Sequence, residues 1–272
     1  MKSLIQKIAR FFSFRSKKAT HQTANGEAPY LEEQIAWWGD FVVEEEHSRF
    51  FKVGNIVICL DRYSHQWHIT TYREGEKPFK NFAAQAANHI ALRPTMPERA
   101  LLSPLERPFY ISPGEVVLLY ISTPIWICLQ AGNPPILLDE IPTEALLDTW
   151  FGKNTLEGEL CYATATYCST ELDDLPRDTT RIISLVSIEN HSKTTLLLQE
   201  LKIPVPYLSI FSDPQNCLWT EQLNVQQKDA ETTETSIIKG PPAHLKDTVL
   251  LTPPRLSVKP GLKNLFGLSM WK

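Results

Sequence analysis

An all-β fold is predicted by three features of this 272-residue sequence. From Trp37 onward, short runs rich in Val, Ile, Phe, Tyr, Trp and Thr alternate with turn residues every eight to twelve positions, the spacing of an antiparallel β-sandwich or barrel. Gly54-Asn55 and Pro113-Gly114 sit between apolar runs, where each pair supplies the backbone angles of a tight turn. The stretch "PTEALLDTW", residues 142–150, carries helix-start signals and divides the strand pattern into two halves. The expected architecture is two antiparallel β-sandwich-like halves, at 30–140 and 141–258, with a few short helices. A basic amphipathic helix and flexible tether over 1–29 precede them, and a basic apolar tail over 259–272 follows.

The opening "MKSLIQKIARFFSFRSKK" holds six cations and no acid. At 100° per residue, Leu4, Ile5, Ile8, Phe11 and Phe12 fall within an arc of about 120°, while Lys2, Gln6, Lys7, Arg10 and Ser13 fill much of the opposite side. Residues 16–29 are polar and aperiodic, as a flexible tether is. "RFFKVGNIVICL" then reads as a hairpin about Gly54-Asn55, and "QWHITTY" as the next strand. Alanine enrichment after Phe82 predicts one short helix over 82–90. In "RPFYISPGEVVLLYIST", proline presets φ and glycine takes the positive angle, so a type II turn is expected to join two strands of a hairpin. Thr143 reads as an N-cap with Glu144 in the first turn, giving a short helix that ends near Gly152. Strands are expected at 159–168, 181–189, 194–201, 206–211, 217–225 and 247–251, with the polar, acidic stretch 226–236 as a surface loop or solvated strand end. "KPGLKNLFGLSMWK" closes the chain with Leu262, Leu265, Phe266, Met270 and Trp271 among Lys259, Lys263 and Lys272.

The formal net charge of −4 includes +6 from the opening eighteen residues, so residues 19–272 carry −10. That acidity argues against nucleic acid as a partner of the body. Five cysteines, an odd number set mostly in apolar runs, fit thiols in a reducing compartment. Lys7 and Arg10 interrupt any signal-peptide core, so secretion by that route is not expected. The uncharged stretch 116–138 is about long enough to span a bilayer, but Pro124 and Gly132-Asn133-Pro134-Pro135 split it and its β-branched and aromatic content suits buried strands.

At "ERPFYISPGEVVLLYISTPIWICL" and at "TWFGKNTLEGELCYATAT" the sequence resembles bacterial members of the uncharacterised family called domain of unknown function 432, over roughly residues 35 to 225. The resemblance implies no activity, cofactor or catalytic residue. Some members of that family are encoded beside mechanosensitive channel proteins, which implies a membrane-linked role and a membrane-protein partner.

Motifs for chemistry are sparse. His65 and His68 lie three apart, which in a strand places them on opposite faces, the wrong geometry for one metal unless a turn intervenes. Cys161 and Cys168 are seven apart, again on opposite faces of one expected strand, and no C-x-x-C occurs. There is no G-x-S-x-G elbow and no Gly-rich phosphate loop. Glu44-Glu45-Glu46 and Asp173-Asp174 read as solvated turns, and Trp37, Trp38, Trp67, Trp126, Trp150 and Trp219 as core aromatics, with a sugar-binding face as the competing reading. No catalytic residue, metal ligand or cofactor is assigned.

The opening helix is the one candidate site. A helix docked on the body would show the same stripe, yet this one lacks acids and is followed by Arg15, Lys17 and Lys18, as an interfacial helix on an anionic membrane is. Membrane contact is therefore expected through Leu4, Ile5, Ile8, Phe11, Phe12, Lys7, Arg10, Arg15, Lys17 and Lys18. The sequence favours a non-enzymatic regulatory or scaffold protein at the cytoplasmic membrane face. Its alternative is a soluble small-molecule or carbohydrate-binding module, or an enzyme of unfamiliar type.

Overall fold

The computed structural model describes residues 36–76, 78–83, 87–152, 158–229, 232–257 and 267–268. All but two single 3-10 turns, at Leu172–Asp174 and Val205–Tyr207, of its regular elements are strands. No helix among these residues is long and apolar enough to cross a membrane. The opening segment lies outside the described residues.

The chain forms two compact units. After β1 (Gly39–Val42), which belongs to the larger unit, residues 43–86 build the smaller one as an antiparallel meander of β2 (Ser48–Val53), β3 (Ile56–Tyr63), β4 (Gln66–Arg73) and β5 (Phe79–Ala83). Gly54 takes φ +54° between β2 and β3, so the glycine-asparagine hairpin is present as the sequence predicts. β3 runs apolar over Ile56–Leu60, and all five of those residues are buried, with Trp67 of β4 beside them in the core.

The larger unit holds three sheets. Its strands are β6 (His89–Thr95), β7 (Leu101–Ile111), β8 (Val116–Pro124), β9 (Trp126–Ala131), β10 (Ile136–Pro142), β11 (Leu147–Phe151), β12 (Glu159–Ala163), β13 (Tyr167–Ser169), β14 (Arg181–Asn190), β15 (Leu196–Ile203), β16 (Ile210–Ser212), β17 (Leu218–Trp219), β18 (Gln222–Gln227), β19 (Thr233–Ile238), β20 (Val249–Thr252) and β21 (Gly267–Leu268). One sheet runs β1-β6-β9-β10 and a second β11-β12-β7-β15-β21. The third runs β13-β8-β14-β17-β16-β20, with β18 also on β14 and β19 on β18. Strands from either side of residue 141 share the second and third sheets.

Most ladders are antiparallel, but β12 pairs β7, and β17 and β18 pair β14, in parallel. A parallel pair needs a long return connection. Between β14 and β18 the chain runs through β15, a strand of another sheet, and then β16 and β17, so strands rather than a crossover helix make the return.

Neither helix expected inside the body is found among the described residues. Residues 79–83 pair with β4 and 89–95 form β6, so the alanine-rich stretch is extended on either side of the undescribed residues 84–86. At the second site the hydroxyl of Thr143, read as a cap, donates instead to Ile125 O at 2.6 Å, and Leu147–Phe151 pairs with β12. A cap hydroxyl committed to a distant carbonyl leaves the helix start unsupported. The expected strand at 159–168 is two, β12 and β13, which join different sheets.

The Pro113-Gly114 turn is present, with Gly114 at φ +79° and Glu115 N–H donating to Ser112 O at 3.1 Å. It is not a hairpin. β7 pairs with β15 and β8 with β14, so the chain crosses between two sheets at this turn and crosses back after Asn190. Asn190 pins both crossings. Its Nδ2 donates to Ile111 O and Thr194 O, each at 2.8 Å, and its backbone O and N bond Gly114 N at 2.7 Å and Glu115 O at 3.0 Å.

Candidate functional site

Leu4, Ile5, Lys7, Ile8, Arg10, Phe11, Phe12, Arg15, Lys17 and Lys18 all lie outside the described residues. The other residues weighed from sequence are scattered. His65 is in an exposed turn, while the His68 ring packs between Tyr63 and Phe82 at 4.4 and 4.6 Å. Asp173 pairs with Arg177 at 3.1 Å and Asp174 accepts from Ser169 Oγ at 2.7 Å, both at the surface. Trp37, Trp67 and Trp219 are core residues. Among the described residues no group of three or more His, Cys, Asp and Glu side chains is placed to hold a metal.

What the fold does bring together is a polar node at the start of β14. Arg181 is 6% exposed, and its guanidinium is held on three sides. Nε donates to Ser122 Oγ at 3.0 Å, Nη2 to Ser122 O and Ala165 O at 2.8 Å each, and Nη1 to Glu144 Oε1. The Tyr167 ring lies 4.9 Å from its central carbon. One side chain thus ties β8, β14, the connections before β11 and after β12, and β13. Burial of a guanidinium is tolerated because nearly every donor is met.

Beside this node is a cavity of about 180 Å³ whose lining includes Ser122, Arg177, Asp178, Arg181, Asn216 and Cys217. Its 213–219 rim is shaped by Asp213, whose carboxylate accepts from Gln215 N, Cys217 N and Trp219 Nε1, all at 2.9 Å, while Asn216 takes φ +62°. Ser122 Oγ is occupied by Arg181, and burial, with Asp213 adding to it, pushes the Cys217 thiol up. The lining can therefore hydrogen-bond a small polar group but offers no activated nucleophile.

A second cluster was missed in the sequence, because its members come from six separate segments. Arg255 lies over the Trp126 ring at 5.7 Å, Trp126 meets Tyr162 at 6.1 Å, and Arg99 lies over Tyr162 at 5.0 Å. Glu140 pairs with Arg255 at 2.7 Å, Asp148 with Arg99 at 2.9 Å, and Tyr162 donates its hydroxyl to Glu98 at 2.9 Å. Cation over aromatic faces at these distances stabilises a surface without apolar burial. Trp126 is thus half-buried rather than a core residue, and Trp150 is 38% exposed.

None of the five cysteines is in a disulfide. Burial pushes the Cys168 thiol up to about 12, and burial with nearby Glu140 and Glu159, respectively, pushes Cys128 and Cys161 up to about 11. Only the thiolate alkylates. At pH 8 iodoacetamide is expected to label these three at least about 100-fold more slowly in the folded chain than in urea, because a rise of two pKa units removes that much thiolate. Mass spectrometry of the labelled peptides reads the ratio, and equal rates would show that the burial is not maintained in solution.

No curated protein and no solved structure matches this chain. Residues 37–270 match the family described as "Protein of unknown function (DUF432)", a span that covers β1 through β21, and the chain belongs to that family.

Proposed function

We propose that this chain is a non-enzymatic β-sandwich protein held at the cytoplasmic face of a membrane, where it acts as a regulatory or scaffold partner of a membrane protein. The observation that carries this reading is the charge division, +6 over residues 1–18 against −10 over the rest, together with the apolar arc of the same opening segment. An acidic body is repelled by anionic lipid, so attachment falls to the segment of opposite sign. Leu4, Ile5, Ile8, Phe11 and Phe12 enter the acyl boundary, while Lys7, Arg10, Arg15, Lys17 and Lys18 meet lipid phosphates, each cation near the surface contributing about 1 kcal/mol.

Sedimentation with vesicles of phosphatidylglycerol and phosphatidylcholine tests it on the full chain. Binding is expected on the mixed vesicles, to weaken as salt rises because the Debye length is ~8 Å at physiological ionic strength, and to fall at least about 10-fold on Ile8→Asp with Phe12→Asp. Equal sedimentation of the parent and the double variant would remove the helix as the anchor and leave docking on the body as its role. A second reading, a small-molecule or carbohydrate-binding module, is favoured by the Arg99, Tyr162, Trp126 and Arg255 array. A change in tryptophan fluorescence on titration with oligosaccharides, lost in Trp126→Phe, would select it.

A further inference from the structure

We propose that the cavity beside the Arg181 node binds a small α-amino acid as its zwitterion, with the carboxylate at Arg177 and the ammonium at Asp178. The cavity of about 180 Å³ has a buried floor that includes Ser122, Arg181, Ile183 and Leu218, and a rim on which Arg177, Asp178 and Gln215 stand exposed. A floor closed to water under a few convergent polar groups is the form of a small-molecule site. A cavity of roughly 150 Å³ takes benzene, so this one suits a ligand of about six to nine heavy atoms, the sizes of alanine and aspartate.

The charges around the cavity choose the ligand. Arg181 is committed, since its guanidinium already meets Ser122, Ala165 and Glu144. Arg177 is not. Its one hydrogen bond among the described residues, Nη2 to Asp173 Oδ1 at 3.1 Å, joins side chains that are 61% and 92% exposed. So open an ion pair contributes little, and a ligand carboxylate taken bidentate by the guanidinium can replace it. Asp178, the next residue, accepts from Thr180 N at 2.8 Å through Oδ1 and is in no ion pair among the described residues. With Arg177 matched by Asp173 and Arg181 by Glu144, Asp178 leaves the lining with an excess of negative charge. That excess repels a simple anion, whereas a zwitterion brings the ammonium that offsets it. Gln215 and Asn216 add side-chain amides that have no partner among the described residues and can bond the ligand's remaining polar atoms.

Titration calorimetry of the full chain with glycine, L-alanine, L-serine and L-aspartate tests the site. At least one of the four is expected to bind saturably with Kd below about 1 mM. Its analogue without the ammonium (acetate, propionate, 3-hydroxypropionate or succinate, respectively) and its amide are each expected to bind at least about 10-fold more weakly, because each leaves one charged group unmatched. Arg177→Gln and Asp178→Asn are each expected to weaken binding at least about 10-fold with the urea midpoint unchanged, since both side chains are exposed and asparagine still accepts from Thr180 N. No binding by any of the four, an analogue that binds as tightly as its parent amino acid, or parent-like affinity in either variant would overturn the proposal. So would binding of inorganic phosphate or glucose in their place, by showing an anion or polyol site.

Discussion

Arg181→Ala is expected to destabilise the chain by about 3–5 kcal/mol, read as a lowered urea midpoint. The guanidinium is the shared donor for Ser122 Oγ, Ser122 O, Ala165 O and Glu144, so its loss strands two carbonyls and a partly buried carboxylate at once. Unmet buried partners, more than the lost attraction, set the magnitude. Arg181→Lys is expected to recover little, because a single ammonium cannot span a fork of acceptors on separate segments. Adding Glu144→Gln to Arg181→Ala is expected to return part of the loss by removing the uncompensated charge. Midpoints within about 0.5 kcal/mol of the parent for both single variants would show that the node is solvated rather than buried.

Asn190→Ala is expected to cost about 2–4 kcal/mol, since the side chain closes both sheet crossings and is fully buried. Its Oδ1 also accepts from Ser192 N at 3.0 Å and Ser192 Oγ at 2.7 Å, so truncation unmakes the turn before β15 as well. Asn190→Asp separates shape from chemistry. A carboxylate there would face the carbonyls of Ile111 and Thr194 without a proton to give, which raises its folded pKa above the unfolded value of about 3.9. Such a group costs nothing extra below the unfolded pKa, and the penalty grows as pH rises through the folded one. Asn190→Asp is thus expected to be less stable than Asn190→Ala at pH 7 and to close the gap toward pH 4. Urea titrations of the two variants at both pH values measure it, and a gap that does not change with pH would place residue 190 in contact with water.

Part of this fold is legible from local chemistry, and particular residues show where legibility stops. Gly54-Asn55 makes its hairpin because the turn and both strand partners lie within about a dozen residues. Pro113-Gly114 makes the same kind of local turn, yet the strands it joins part company. The difference is the partner: β7 finds β15 and β8 finds β14, 57 to 102 positions away, and Asn190 locks the crossing. Thr143 misleads for the same reason, since its hydroxyl serves Ile125 rather than its own chain direction. The Arg181 node was not foreseen, because Ser122, Glu144, Ala165 and Tyr167 share no spacing that a sequence displays.

By itself the sequence determined that the body is built of strands, because side-chain period and turn angles are properties of neighbouring residues. It also determined the uneven charge of the chain, which needs no fold to exist. Only the tertiary structure decided which strands pair, which ladders are parallel and which buried polar groups meet. Those choices are made by backbone and side-chain groups that must find partners once water is excluded, and the partners stand far away along the chain.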